Sequence, residues 1–219
     1  MLTTLDLFDL THTLAADYLR GFVYPWQALA GIKDMIVALG QTLSDDYQQV
    51  SPQVWVHRTA VVAPTAYLGA PCIIGPETEV RHCAFIRGSA LAGANCVVGN
   101  SVELKNVILF DNVQTPHYNY VGDSILGYRA HMGAGSITSN VKSDHSPVTV
   151  RAQEESIATG LKKMGALLGD FVEVGCNSVL NPGTVVGRRS QIYPLSSVRG
   201  VVPADCILKS LGQIVPKRA

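Results

Sequence analysis

The sequence predicts an all-β fold, a parallel β-helix built of hexapeptide repeats with a short N-terminal helical segment. Three observations lead there. Apolar residues recur every six positions, small residues recur four positions after them, and glycine often follows the large residue. The large positions are Val56, Val62, Leu68, Ile74, Val80, Ile86, Ala92, Val98 and Leu104. The small ones are Ala60, Ala66, Cys72, Thr78, Ala84, Ala90, Cys96 and Val102. The rhythm returns at Leu126, Met132 and Thr138, and again at Leu168, Val174, Leu180, Val186, Ile192 and Val198. A period of six is no helix period. It fits short strands separated by tight bends, with the large and small residues both pointing inward. Glycine in "IGPETE", "VGNSVE" and "LGDFVE" supplies the backbone freedom a bend needs. Three hexapeptides close one triangular coil. The repeating stretches amount to about six coils, a prism roughly 30 Å tall at ~4.8 Å per coil.

The remaining segments follow in chain order. Residues 1–45 read as a helical cap and linker. Thr3 or Thr4 caps "LDLFDLTHTLAADYL", whose apolar residues fall at three- and four-residue spacing. Pro25 starts a second helix, "PWQALAGIKDMIVAL", which Gly40 ends. "GQTLSDDYQQVSPQ" is a linker. A solenoid needs its ends covered, so the helices are expected to cap it or to contact another subunit. The β-helix is expected over 50–205. Residues 141–165 are too long for a bend and are expected to leave the prism as a loop or hairpin arm reaching a neighbour. Residues 206–219 form a tail.

Composition limits the partners. The 219 residues hold 17 Lys and Arg against 17 Asp and Glu. No basic excess points to nucleic acid. Charged residues make up 16%, below the roughly 25% usual for soluble domains, so much of the surface is expected to be hidden in a long core or between subunits. No apolar run approaches the ~18 residues that span a bilayer. "MLTTLDLFDL" places Asp6 and Asp9 where a secretion signal is basic and then apolar. No membrane partner and a cytoplasmic location are expected. The five cysteines form no CxxC pair, and Cys72 and Cys96 fall on small inward positions. They read as buried thiols, not as a disulfide framework.

Between Leu104 and Leu126 the rhythm slips, at "PHYNYVGDS". The wall is expected to bulge there and carry His117 off the prism toward a cleft. The ordered blocks "GNSVELKN", "PHYNYVGDSILG", "HMGAGSITSN" and "KKMGALLGDFVEVGCNSVLNPGTVVG" carry a resemblance. They resemble the acetyltransferase domain of the bacterial bifunctional N-acetylglucosamine-1-phosphate uridyltransferase/glucosamine-1-phosphate acetyltransferase. They resemble still more the C-terminal domain of archaeal-type sugar-1-phosphate nucleotidylyltransferases. The likeness covers about residues 50–203. It implies a left-handed coil, a homotrimer with sites in the clefts between subunits, and acetyl-CoA as co-substrate with no metal required. The expected reaction is transfer of acetyl to an amino-sugar phosphate such as glucosamine 1-phosphate, a step in nucleotide-sugar metabolism. The Gly-rich loop with Arg and Lys that opens the nucleotidyltransferase domain of such proteins has no counterpart in these 219 residues.

The resemblance also implies roles for individual residues. Arg87 and Lys105 hold the sugar phosphate. They stand 18 residues apart, one coil, a spacing that suits two cations clamping a phosphate. His117 is the general base: an ammonium does not attack a thioester, and a neutral imidazole accepts its proton near neutral pH. Tyr120 and Asn140 contact the acceptor. The backbone N–H of Ala134 faces the thioester carbonyl and stabilises its developing charge. Cys176 lies near the coenzyme. Lys163 matches a site lysine once the insertion is collapsed. His131 stands where the bifunctional enzyme has a sugar-binding asparagine, which opens the choice of acceptor. Two other readings stay open. One is a catalytically idle sugar-phosphate-binding trimer. The other is a metalloprotein like the γ-class carbonic anhydrases, with His117 and His131 approaching across coils.

Overall fold

The computed structural model describes residues 2–152, 155–209 and 212–217. The chain winds into a left-handed parallel β-solenoid of about eight turns, with short helices near its N-terminus. Successive turns pair in parallel, so every wall is a ladder of equivalent positions. The first wall carries Val54–His57, Cys72–Ile74, Ala90–Ala92, residues 107–109 and 124–126, Ala166–Leu168, Thr184–Val186 and Val201–Val202. The second runs from Val61–Val62 through Gln114–His117 and His131–Met132 to Cys206–Leu208. The third runs from Tyr67–Leu68 through residues 103–104, 120–121 and 137–138 to Ser197–Val198. The inward residues of the predicted register, Ile74, Ile86, Val98, Leu104, Leu126 and Leu180 among them, are fully buried.

The solenoid has more turns than the sequence count because the slipped stretch stays in the wall and a last turn, with Val201–Val202 and Cys206–Leu208, follows Val198. Leu109 pairs with Ala92, Thr115 with Val98, Val121 with Leu104 and Leu126 with Leu109. The inward positions are therefore spaced five, six, six and five from Leu104 to Leu126. Two corners are shortened by one residue each. Glu103–Leu109 and Tyr120–Leu126 turn those corners as unbroken seven-residue strands, paired on both sides of the corner residues Asn106 and Asp123. Asn106 (φ 56°) and Asp123 (φ 48°) supply the left-handed backbone there, a conformation their short polar side chains tolerate. The expected bulge is absent: His117 ends a strand whose register partner is Asn100.

The helical segment differs from expectation in two ways. It is broken into Thr4–Leu7, Leu10–His12 and Ala16–Arg20, followed by Pro25–Gly31 and Ile32–Gly40. Thr3 caps the first piece, and its hydroxyl accepts from Asp6 N. The break comes at Asp9, whose carboxylate caps the next turn while its N–H donates to Asp170 Oδ2 (2.7 Å). Nor does the segment cap an end. It lies along the first wall. Phe8 packs on Phe110, His12 stacks on Tyr128, and Asn106 Nδ2 donates to Leu29 O (3.0 Å). Gly40 is required where the last helix meets the wall, since a Cβ there would sit 2.4 Å from the Trp55 ring. The segment hides the outward residues Ile73, Leu91, Ile108, Ile125 and Leu167, all fully buried. This intrachain cover accounts for part of the low charge content. One edge of each of the two large sheets carries an antiparallel strand, Tyr47–Ser51 within the predicted linker and Ile214–Pro216 in the predicted tail.

The insertion is a hairpin, Thr149–Arg151 against Ser156–Ala158. It folds back instead of reaching out as an arm. Val148 and Val150 are fully buried. Gly183 and Gly200 let the wall approach: a Cβ on either would meet the carbonyl of Thr149 or Arg151 at 2.9 or 2.6 Å.

Candidate active site

Most of the predicted site residues gather at two corners that flank the third wall. At the corner entering it, main-chain bonds descend turn by turn. Tyr118 N donates to Asn100 O (2.9 Å), Gly135 N to His117 O (3.0 Å), Asn177 N to Ala134 O (2.8 Å) and Leu195 N to Cys176 O (2.9 Å). His117, Ala134 and Cys176 therefore stand in one column, one turn apart. The His117 side chain is exposed, and its ring has no hydrogen-bond partner among the described residues. The Ala134 N–H likewise has no acceptor among them. Cys176 is exposed.

Asn119 holds this corner, and the sequence reading missed it. It is buried on an inward small position, four after Thr115. Its Nδ2 donates to Gly133 O (2.8 Å) and Ser136 O (3.0 Å), and its Oδ1 accepts from His117 N (3.2 Å). One amide thus ties the His117 turn to the Ala134 turn. A polar residue in an apolar inward register was the available signal, because a buried amide needs partners.

At the corner leaving the third wall stand Arg87, Lys105 and Asn140, with Tyr120 on the wall between the corners. Glu103 pairs with Phe85 and Leu104 with Ile86, so Arg87 and Lys105 are stacked one turn apart as the spacing required. They do not form a bare clamp. Arg87 Nη1 donates to Glu103 Oε1 (2.8 Å), and this carboxylate raises the guanidinium's pKa. Lys105 Nζ donates to both oxygens of Asp123 (2.8 and 3.0 Å). Asn140 Nδ2 donates to Asp123 Oδ2 and to Tyr120 Oη (3.2 Å). Burial pushes the Tyr120 phenol up, and the carboxylates of Asp123 and Glu103 push it further. Lys163 is exposed and precedes Met164, whose N–H donates to Asn140 O (3.0 Å). The hairpin's return therefore brings Lys163 to this corner.

His131 stands apart from both corners. It lies on the second wall with Gln114 as its register partner. His117 is three residues further along that strand, ~10 Å at ~3.3 Å per residue. The expected approach of the two histidines is not what the fold makes. His131 Nδ1 instead bonds Glu173 Oε2 (2.9 Å), in a polar cleft with Asn112, Gln114 and Arg129. Cys72 and Cys96 are fully buried, and burial pushes both thiols up to about 12.

The chain is similar in sequence to several known proteins. The chain is 33% identical over 91 residues to the bifunctional sugar-1-phosphate nucleotidylyltransferase/acetyltransferase of Sulfurisphaera tokodaii, covering 42% of this chain and 23% of that protein. It is 32% identical over 114 residues to the bifunctional protein GlmU of Methanococcus aeolicus, covering 52% and 28%. It is 30% identical over 100 residues to the putative uncharacterized acetyltransferase YaiX of Escherichia coli, covering 46% and 44%. The chain thus spans less than half the length of each of these relatives. Residues 71–190 match the family model described as the GMPPB C-terminal domain. That match takes in more than half of the chain, from the second turn to the seventh, and the chain belongs to the GMPPB C-terminal domain family.

Proposed function

We propose that this chain is an acyltransferase domain that moves the acetyl group of acetyl-CoA to the amine of an amino-sugar phosphate. One observation carries the reading. An exposed His117 imidazole and an Ala134 N–H with no acceptor among the described residues share one corner column, across a single wall from the Tyr120, Asn140, Lys105 and Arg87 cluster. The acceptor's ammonium first loses a proton to solvent, and the imidazole then accepts a second proton from the attacking amine. The amine nitrogen bonds to the thioester carbon and the C–S bond breaks. The imidazolium returns its proton to the leaving thiolate. The Ala134 N–H is suited to the charge that gathers on the carbonyl oxygen during this step. No covalent enzyme intermediate is required, so Cys176 needs only to line the coenzyme's path.

The charge pattern favours a zwitterion. Arg87, Glu103, Lys105 and Asp123 alternate in sign along one corner. An acceptor with an ammonium and a phosphate meets both signs, whereas a polyanion would have to displace two carboxylates. The test is thiol release from acetyl-CoA with glucosamine 1-phosphate and other amino-sugar phosphates. Wild type is expected to turn over at least one. His117→Ala is expected to be slower by ~10²–10⁴-fold, the usual worth of a positioned base. Equal rates remove the base; no turnover with any acceptor favours the idle binding domain.

A further inference from the structure

We infer that Asp123 is the positioning residue of the acceptor site, fixing Lys105 and turning the Asn140 amide so that its carbonyl oxygen is offered to the acceptor. The inference rests on the amino-sugar reading above. Asp123 is 4% exposed and sits in the left-handed region at a shortened corner. Its carboxylate receives three donors from the two flanking turns: Lys105 Nζ and Asn106 Nδ2 from the turn before, and Asn140 Nδ2 from the turn after. Its backbone carbonyl accepts from Gly165 N (2.9 Å), where the hairpin returns beside Lys163. Asn106 Nδ2 also donates to Leu29 O, so the covering segment braces the same carboxylate. Lys105, Asn140 and the return of the insertion, which the sequence suggests separately, thus converge on a residue it does not single out.

The direction of the Asn140 amide follows from donor and acceptor chemistry. An ionised carboxylate only accepts, so the group against Asp123 must be the NH₂. The same NH₂ reaches the Tyr120 oxygen. Asn140 Oδ1 is then left with no donor among the described residues, and the Tyr120 O–H proton is free to donate. The corner presents one acceptor, one phenolic donor and the remaining N–H of Lys105. That set suits the hydroxyl and ammonium donors and the phosphate oxygens of an amino-sugar phosphate. Without the carboxylate, nothing chooses between the two amide orientations, and Lys105 loses its anchor.

The experiment compares wild type, Asp123→Asn, Asn140→Ala and the double variant in the full chain. Asp123→Asn keeps size and tolerance of the left-handed backbone but offers one accepting oxygen in place of two. Its acceptor KM is expected to rise about tenfold or more, the loss of one oriented hydrogen bond, with the acetyl-CoA KM unchanged. If Asp123 acts through Asn140 as well as through Lys105, the double variant loses less than the sum of the two single losses, because the part carried by Asn140 is lost only once. Additive losses, or an unchanged acceptor KM, overturn the inference. Failure of wild type to turn over any amino sugar overturns the functional reading instead. The amide orientation is then still read from the Asn140 side-chain NH₂ signals, identified by their loss in Asn140→Ala. Two strongly shifted protons are expected in wild type; a pair at the ordinary position of exposed amides overturns the inference without any need for Asp123→Asn to fold.

Discussion

Replacing Leu91 by alanine tests whether the helical segment covers the first wall. Leu91 points outward, between the inward residues Ala90 and Ala92, in a row with Ile73 and Ile108. On a bare wall it would face solvent. Here it is fully buried, beneath the helix Ile32–Gly40. Truncation removes that side chain's transfer energy and leaves a cavity between wall and helix, together ~2–5 kcal/mol. For a chain of this length ~1 kcal/mol moves the melting temperature by ~2–4 °C, so a fall on the order of 5–15 °C is expected. Val61 is the control. It too points outward, on the second wall, and is 65% exposed. Val61→Ala should stay within ~0.5 kcal/mol of wild type. Thermal unfolding followed by circular dichroism reads both. If the two variants melt together, the segment does not pack on this wall, and the outward apolar row needs another explanation.

The candidate corner tolerates no side chain at Gly99, where a Cβ would lie 1.7 Å from Pro116 O. Gly99→Ala is expected to cost ~1–3 kcal/mol through overpacking. It should also lower kcat, because the residue displaced immediately precedes His117; wild-type melting and turnover would refute that spacing. Among the cysteines, Cys83 and Cys176 are exposed while Cys72 and Cys96 are buried, their thiols pushed up to about 12 by burial. Alkylation at pH 8 followed by mass spectrometry should label the first two in the native protein and the second two only in denaturant. Rapid native labelling of Cys72 or Cys96 would contradict the inward register.

The inward registers were legible because they are local and repeated. Each turn needs a large residue and a small one at fixed offsets, so the period survives in the sequence. The start at Pro25 and the end at Gly40 of the second helical stretch were legible through their terminal residues, although the stretch divides into a 3-10 helix, Pro25–Gly31, and an α-helix, Ile32–Gly40. The shortened corners were not. Losing one residue at Asn106 and one at Asp123 shifts the period without breaking the pairing, and a count of sixes reads the shift as an interruption. The triplets "CII", "VIL" and "ALL" held a further signal. All three residues of each are apolar, which an alternating strand with one solvent face has no reason to be.

The order of residues alone specifies a parallel solenoid, the inward residues of most turns, and the blocks from which its family is recognised. The folded coil settles which wall is covered, that the insertion folds back, and that Arg87 and Lys105 each carry a carboxylate partner. It alone placed His117 with Ala134 and set His131 apart. The physical reason is the range of the forces involved. Strand period and bend chemistry act between neighbours in the chain. The contacts that assemble the candidate site, such as Lys105 to Asp123 and Asn140 to Asp123, cross whole turns, and the bond from Asp9 to Asp170 that seats the cover joins residues 161 positions apart. Such pairings leave no period behind, and they exist only once the coil has brought distant residues to the same corner.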